Sequence, residues 1–227
     1  MNLLLPPLGT SWSIVPELYG FTNPARLDLY AHSASRSEIL SLREQQGIEP
    51  VDAIWVVTTE AMDMGRLERW AGLMCLPLTL WRTAGVEELA SVAENRWMAD
   101  LIYRVVFHAR TLTQESGGRL YLSLAGGRKT MSAEMQQAGM VFGCDALLHV
   151  VDVDQGHKPD WLKRADNLTP ELFVEPLPED AADCFQPLVI LGPCAPNAAL
   201  AVEPAMRARD FPLTAEGGAV PGGTELY

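Results

Sequence analysis

The chain predicts an α/β fold, a Rossmann-like, mainly parallel sheet with helices on both faces and a short C-terminal appendage. Three observations carry that prediction. From residue 2 to about residue 151, short β-prone apolar runs alternate with segments of helical period, the rhythm of right-handed βαβ crossovers. One run, Val51 to Thr58 (VDAIWVVT), is apolar almost throughout, as a strand covered on both faces must be. The 227 residues, 48% of them hydrophobic, suffice for one sizeable core.

Taken in order, Asn2 to Pro7 reads as a strand that ends in Leu8-Gly9-Thr10-Ser11. Thr10 or Ser11 is placed to cap the next helix, which turns Ile14, Val15 and Leu18 inward. Arg26 to Ala31 reads as a second strand, and Ser35 to Gln46 as a polar amphipathic helix closed by Gly47. After Val51 to Thr58 come a helix over Asp63 to Leu73 and a strand over Leu76 to Trp81. Val86 to Gln114 then reads as one long helical stretch, with Leu89, Val92, Trp97, Leu101, Val105 and Ala109 recurring along it.

The stretch Leu120 to Val151 is the most informative. Leu120 to Leu124 suits a buried strand, and Ala125, Gly126 and Gly127 break it with a turn that lets another group approach the backbone. Arg128 and Lys129 open a helix in which Met131, Met135, Ala138 and Phe142 share a face, and Gly143 stops it before a strand over Asp145 to Val151. A glycine turn feeding a helix N-terminus offers unpaired N–H groups and a positive dipole end, and two cations there add charge where a phosphate would sit. The spacing matches neither G-x-x-x-x-G-K-S/T nor G-x-G-x-x-G. A phosphate-binding turn and a plain βαβ turn with solvated cations both fit the spacing. In a parallel sheet, ligands collect at the carboxyl ends of the strands near the topological switch point. Both turns, Gly9 to Trp12 and Ala125 to Thr130, follow strands and can meet on one edge.

Composition narrows the function. A net charge of −12 disfavours long nucleic acids, so any nucleotide ligand must be small and held by local cations. No apolar run approaches the roughly 18 residues of a membrane span. The N-terminus lacks the basic flank and cleavage site of a signal peptide. Cys75, Cys144, Cys184 and Cys194 are scattered without C-x-x-C, which predicts reduced thiols in a cytoplasm and no zinc site. Cys75 and Cys144 sit in apolar context and read as core residues, as do Met131, Met135 and Met140. Beyond Asp152 the chain turns rich in proline and acids, with one apolar piece at Leu172 to Val174 and a last strand at Leu188 to Leu191. The predicted organisation is a domain over residues 1–152, an extension packed on it over 153–192, and a loose Pro/Ala/Gly-rich tail over 193–227. A late hairpin is expected in the extension.

The strings LLLPPLGTSWSIVPELYG and LSLAGGRKTMSAEMQQAG, followed by CDALLHVV, resemble the CARF domains. These are the CRISPR-associated Rossmann-like sensors of cyclic oligoadenylate, and the likeness is strongest to their ring-nuclease branch. It covers residues 1 to about 152, and GGRKTMS with its LHVV strand is the specific part. The resemblance implies a homodimer with a two-fold pocket for cyclic tetra-adenylate and no cofactor. Carried over, the ligand-binding positions are Gly9, Thr10, Trp12, Ala125, Gly126, Gly127 and Thr130, and the catalytic ones are Ser11, Arg128 and Lys129. It also implies metal-free cleavage, in which a ribose 2′-OH attacks the adjacent phosphate and leaves a 2′,3′-cyclic phosphate. Trp12 departs from the smaller residue expected there, and packing on the first helix or stacking on an adenine both suit it. Two other functions stay open, a sensor that binds the ring without cutting it and an unrelated nucleotide-binding α/β enzyme.

The remaining polar residues have plainer readings. His149 lies in an apolar strand and suits a satisfied core or interface position better than a base. His157 beside Gly156 and Lys158 could cover the pocket as a lid, Asp152 and Asp154 suit a solvated turn, and Glu17, near the first turn, suits either orienting a pocket side chain or favouring the helix N-terminus. Of the R-x4–6-H motif of HEPN ribonucleases, Arg26 and His32 have the spacing but bracket a predicted strand, and Arg104 and His108 lie on a helix but one residue too close, so both are incidental.

Overall fold

Strand-by-strand alternation of side chains between two cores sets the layering. The computed structural model describes residues 1–152, 158–164 and 167–197. These form six strands: β1 (Leu3–Leu5), β2 (Ala53–Thr59), β3 (Leu78–Thr83), β4 (Leu120–Ser123), β5 (Ala146–Asp152) and β6 (Phe185–Leu191). Leu4, Ile54, Val56, Tyr121 and Leu148 point into one core, and Leu3, Leu5, Trp55, Val57, Leu120 and Leu122 into the other. The first core is closed by α1 (Ile14–Thr22), α2 (Arg36–Gln45) and α3 (Gly65–Leu73). The second is closed by α4 (Val92–Glu115) and α5 (Lys129–Phe142). Burial on both faces explains why the strands read as continuous apolar runs.

The strand order is β3-β2-β1-β4-β5-β6. β1 to β5 are parallel, and only the edge strand β6 runs antiparallel, against β5. This is the Rossmann-like α/β arrangement that the strand–helix rhythm predicts. The chain winds outward from β1 through β2 to β3, then crosses by α4 to β4 on the other side of β1. The switch point therefore lies between β1 and β4, where the chains leaving the two carboxyl ends diverge and open a crevice.

Several local expectations are corrected. Arg26 to Ala31 is a run of turns: Arg26 and Leu27 donate to the Asn23 carbonyl at 2.9 and 3.0 Å, and Ala31 donates to Asp28 at 3.1 Å. Leu27, Leu29 and Tyr30 still bury their side chains, so the apolar pattern marked packing and not a ladder. The long helix starts at Val92 and not at Val86, because Ser91 and Glu94 form a reciprocal capping box (Glu94 N–H to Ser91 Oγ 3.1 Å, Ser91 N–H to Glu94 Oε2 2.7 Å). Cys75 is exposed in a left-handed turn after α3 (φ 49°) and Met140 is 40% exposed, so neither is a core residue. Leu172 to Val174 falls in a 3-10 turn, Pro170–Phe173, that buries Phe173. The expected late hairpin is instead an antiparallel pair, β5 and β6, joined by a long connection. Past β6, Cys194 exchanges backbone hydrogen bonds with Cys144 (3.1 and 2.8 Å). Of the tail expected over 193–227, residues 198–227 lie outside the described residues, as do Asp154, Gly156 and His157. Among the described residues, no helix is long and apolar enough to cross a membrane.

Asp145 locks the start of β5 to its neighbours. Its carboxylate accepts from Arg110 on α4 (2.7 Å), from Arg119 (3.0 Å) and from the Leu120 N–H that begins β4 (2.9 Å). Asp145→Ala should cost about 2–3 kcal/mol in urea unfolding, because two guanidinium groups and an amide lose a charged acceptor together. Arg119→Ala, at the most exposed of the three contacts, should cost well under half of that.

Candidate functional site

Two turns meet at the switch point. β1 runs into Pro6 to Ser13, and Thr58 on β2 holds that turn by donating its hydroxyl to the Leu8 carbonyl (2.8 Å) while Leu8 N–H donates to Val57 (2.8 Å). β4 runs into Leu124 to Arg128, where Ser123 Oγ accepts the Ala125 N–H (2.9 Å) and Ser132 donates to the Leu124 carbonyl (2.7 Å). The turns touch directly, with Gly9 N–H donating to the Gly126 carbonyl at 2.7 Å. Gly126 has φ +101°, and a Cβ on it would lie 2.8 Å from the Pro7 carbonyl oxygen. A Cβ on Gly127 would lie 2.9 Å from Pro7 Cβ. Only glycine lets the second turn lie this close to the first.

Above this contact opens a cleft of about 730 Å³. Two helices begin at it, α1 from Ser13 and α5 from Arg128, and neither has a side-chain cap. The first-turn N–H groups and positive dipole end of α5 suit an anion, whereas at α1 the Ile14 and Val15 N–H groups already donate to the Ser11 and Trp12 carbonyls (3.4 and 3.2 Å) and Pro16 has none, leaving only the dipole end of α1 to contribute. Thr10 and Ser11 do not cap α1, because Ser13 occupies the N-cap; both are exposed on the cleft wall instead.

Of the site residues expected from sequence, Thr10, Ser11, Trp12, Ala125, Gly126, Gly127 and Lys129 line the cleft. Three do not. Gly9 lies beneath the wall, with its N–H used by Gly126. The Arg128 guanidinium points to the exposed rim, 4.0 Å from Glu88. Thr130 lines a separate groove between α4 and α5. Trp12 is 6% exposed and stands edge-on to Phe173, with centroids 5.4 Å apart, so its ring packs as well as lines.

The cleft also holds residues that sequence reading did not assign to it. Ser13, Ser132 and Arg66 line it, as do His149 on β5 and Lys158 beyond it. His149 is half-buried, and its Nδ1 lacks a hydrogen-bond partner among the described residues, so the histidine is not a satisfied core residue. Lys158 is 9% exposed, pairs with Asp152 at 2.5 Å and lies over the Phe185 ring at 5.5 Å. Asp152, read as part of a solvated turn, is therefore half of an ion pair on the cleft wall. Among the described residues, no group of three or more His, Cys, Asp or Glu gathers as metal ligands.

Glu17 is the most perturbed group on the wall. It has no exposed surface, and burial pushes its carboxyl up to about 8. Asp152 pushes the same way, while the Ser13 hydroxyl and Lys158 oppose it. Ser13 is close enough to influence the carboxyl, yet neither oxygen has a donor in hydrogen-bonding geometry among the described residues.

Residues 81–172 match the family model described as CRISPR-associated protein NE0113 (Cas_NE0113). The likeness is to a CRISPR-associated family. The matched segment contains the glycine turn after β4, all of α5 and β5, and Lys158. No curated protein matches the chain. Among solved structures, Enterococcus italicus Csm6 bound to cyclic hexa-2′-fluoro-hexa-dAMP is similar at 10% identity with a TM-score of 0.44, over 84% of this chain. The chain spans 41% of that chain's length.

The raised Glu17 carboxyl has a consequence for stability. A carboxyl protonated in the folded state and ionised in the unfolded one destabilises the fold increasingly as pH rises from about 4.5 to about 8, then by a constant amount. Urea unfolding across that window should show wild type losing stability relative to Glu17→Gln by on the order of 1 kcal/mol per pH unit. A pH-independent difference would mean that the carboxyl ionises normally.

Proposed function

We propose that this chain binds cyclic oligoadenylate, cyclic tetra-adenylate in particular, in a pocket shared by a homodimer, and cleaves it without metal, switching off type III CRISPR signalling. The observation that carries this reading is the convergence of Ser11 and Lys129, from two turns distant in sequence, on one cleft with two uncapped helix starts. The free N–H groups at the start of α5, with the dipole end of α1 beside them, suit the phosphates of a small anionic ring. A net charge of −12 is compatible with such a ligand, because contacts inside a desolvated cleft outweigh screened distant charge. The match of residues 81–172 to a CRISPR-associated family supports the same reading.

In this reaction the ribose 2′-oxygen forms a bond to the adjacent phosphorus and the P–O5′ bond breaks. The 2′-OH loses its proton and the 5′-oxygen gains one, leaving a 2′,3′-cyclic phosphate and a 5′-hydroxyl. Ser11 orients the 2′-OH, and Lys129 stabilises charge on the phosphoryl oxygens and leaving group. Because the Arg128 guanidinium lies on the rim beside Glu88, its contribution is to the approach of the ligand rather than to the reacting phosphate. Catalysis rests on positioning and one cation, so turnover is slow.

Purified protein incubated with cyclic tetra-adenylate in EDTA should yield linear di-adenylate ending in a cyclic phosphate. Lys129→Ala should slow this by roughly 100-fold or more, and Ser11→Ala by less. Tight binding with the ring left intact would identify a sensor that regulates a partner protein or transcription, and failure to bind would remove both readings.

A further inference from the structure

The cleavage reaction asks Lys129 to serve the phosphoryl oxygens and the leaving group together, and it leaves His149 without a role. His149 is half-buried and lines the cleft. It follows Leu148, whose carbonyl accepts the Leu124 N–H at 2.9 Å, so it stands beside the glycine turn that leaves β4. Leu147, two residues back, lies in the core that α5 closes, which puts the imidazole on the α5 side of the sheet with Lys129 and Ser132. Ser132 already donates its hydroxyl to the Leu124 carbonyl (2.7 Å).

Burial distinguishes the two ring nitrogens. Nδ1 is buried without a hydrogen-bond partner among the described residues, so Nε2 is the nitrogen that meets the cleft. Buried N–H groups without an acceptor are rarer than under-satisfied acceptors, so the ring carries its proton on Nε2. A general base would need the reverse tautomer, with an unpaired N–H on Nδ1. An imidazolium would bury that same N–H and a charge with it. The arrangement left is an N–H that faces the cleft from β5.

Topology gives that N–H its target. In the order β1-β4-β5, the glycine turn and the start of α5 lie between the turn after β1 and His149. A phosphate seated on the free N–H groups of α5 therefore has Ser11 on one flank and His149 on the other. Cleavage sets the attacking 2′-oxygen and the departing 5′-oxygen roughly in line across phosphorus. With Ser11 orienting the 2′-OH, the 5′-oxygen departs toward β5. We infer that His149 is a catalytic residue, its Nε2–H donating a hydrogen bond to the 5′-oxygen as the P–O5′ bond breaks. This rests on reading the cleft as the site of ring cleavage. The bonding pair moves to the 5′-oxygen, the imidazole keeps its proton, and water supplies the proton that oxygen gains. A donor fixed where charge develops strengthens in the transition state and contributes little to ground-state binding.

The test is single-turnover cleavage, in EDTA, of cyclic tetra-adenylate and of the same ring with sulfur in place of each 5′-oxygen, with thermal melting of each variant alongside. Sulfur is a weak acceptor and departs readily as a thiolate, so a donor to the leaving atom matters little there. His149→Ala and His149→Phe both remove the donor. They should cut the native ring roughly 100-fold more slowly than wild type, and the sulfur ring within a few-fold of it. His149→Gln, which keeps an N–H at similar reach, should recover most of the native rate. Calorimetry should show all three binding cyclic tetra-2′-deoxyadenylate, which lacks the attacking hydroxyl, within a few-fold of wild type. If a folded variant without the donor cuts the native ring at the wild-type rate, or is slowed equally on both rings, the inference is overturned and the reading of the cleft stands. If wild type leaves the native ring intact, the cleavage reading fails and the inference fails with it.

Discussion

The single contact on which the site depends is the hydrogen bond from Gly9 N–H to the Gly126 carbonyl, 2.7 Å long, between the turns that leave β1 and β4. It forms because those strands are neighbours at the point where the chain reverses its direction of winding, so their outgoing loops have no other strand between them. The backbones can touch only because Gly126 adopts φ +101° and neither Gly126 nor Gly127 carries a Cβ to strike Pro7. The two uncapped helix starts, Ser11 and Lys129 all take their positions from that contact. The site is thus a consequence of topology, sharpened by two glycines.

Charge in the molecule is organised locally. The net charge is −12, yet the cleft is lined by Lys129, Arg66 and an ion pair, Asp152 with Lys158. Glu17 is buried beside that pair, and burial outweighs the opposing influence of the Ser13 hydroxyl and Lys158, so its carboxyl is pushed up. A buried carboxyl with so little compensation costs stability once it ionises.

The sheet was legible in the sequence because strands buried on both faces have to be apolar and are bounded by glycine and proline. The glycine turn and the first turn were legible because each follows such a strand. Arg26 to Ala31 misled because alternating apolar residues also satisfy a turn that packs on a core. The resemblance carried Arg128 and Thr130 into the pocket together with Lys129, but successive residues at a helix start point about 100° apart, and of the three only Lys129 lines the cleft. Glu17, His149, Asp152 and Lys158 come together only through the packing of α1 on β5 and the pairing of β6, which no local pattern reports. Ser132 was hidden for the same reason, one turn into α5.

The most direct test of the claim that the switch-point cleft is the ligand site is amide hydrogen exchange with and without cyclic tetra-adenylate. Slower exchange concentrated at residues 10–15 and 126–131, with residues 36–45 unaffected, is the result expected from a ligand held between the two turns. Exchange unchanged at both turns under saturating ligand, or protection centred on a different surface, would contradict it.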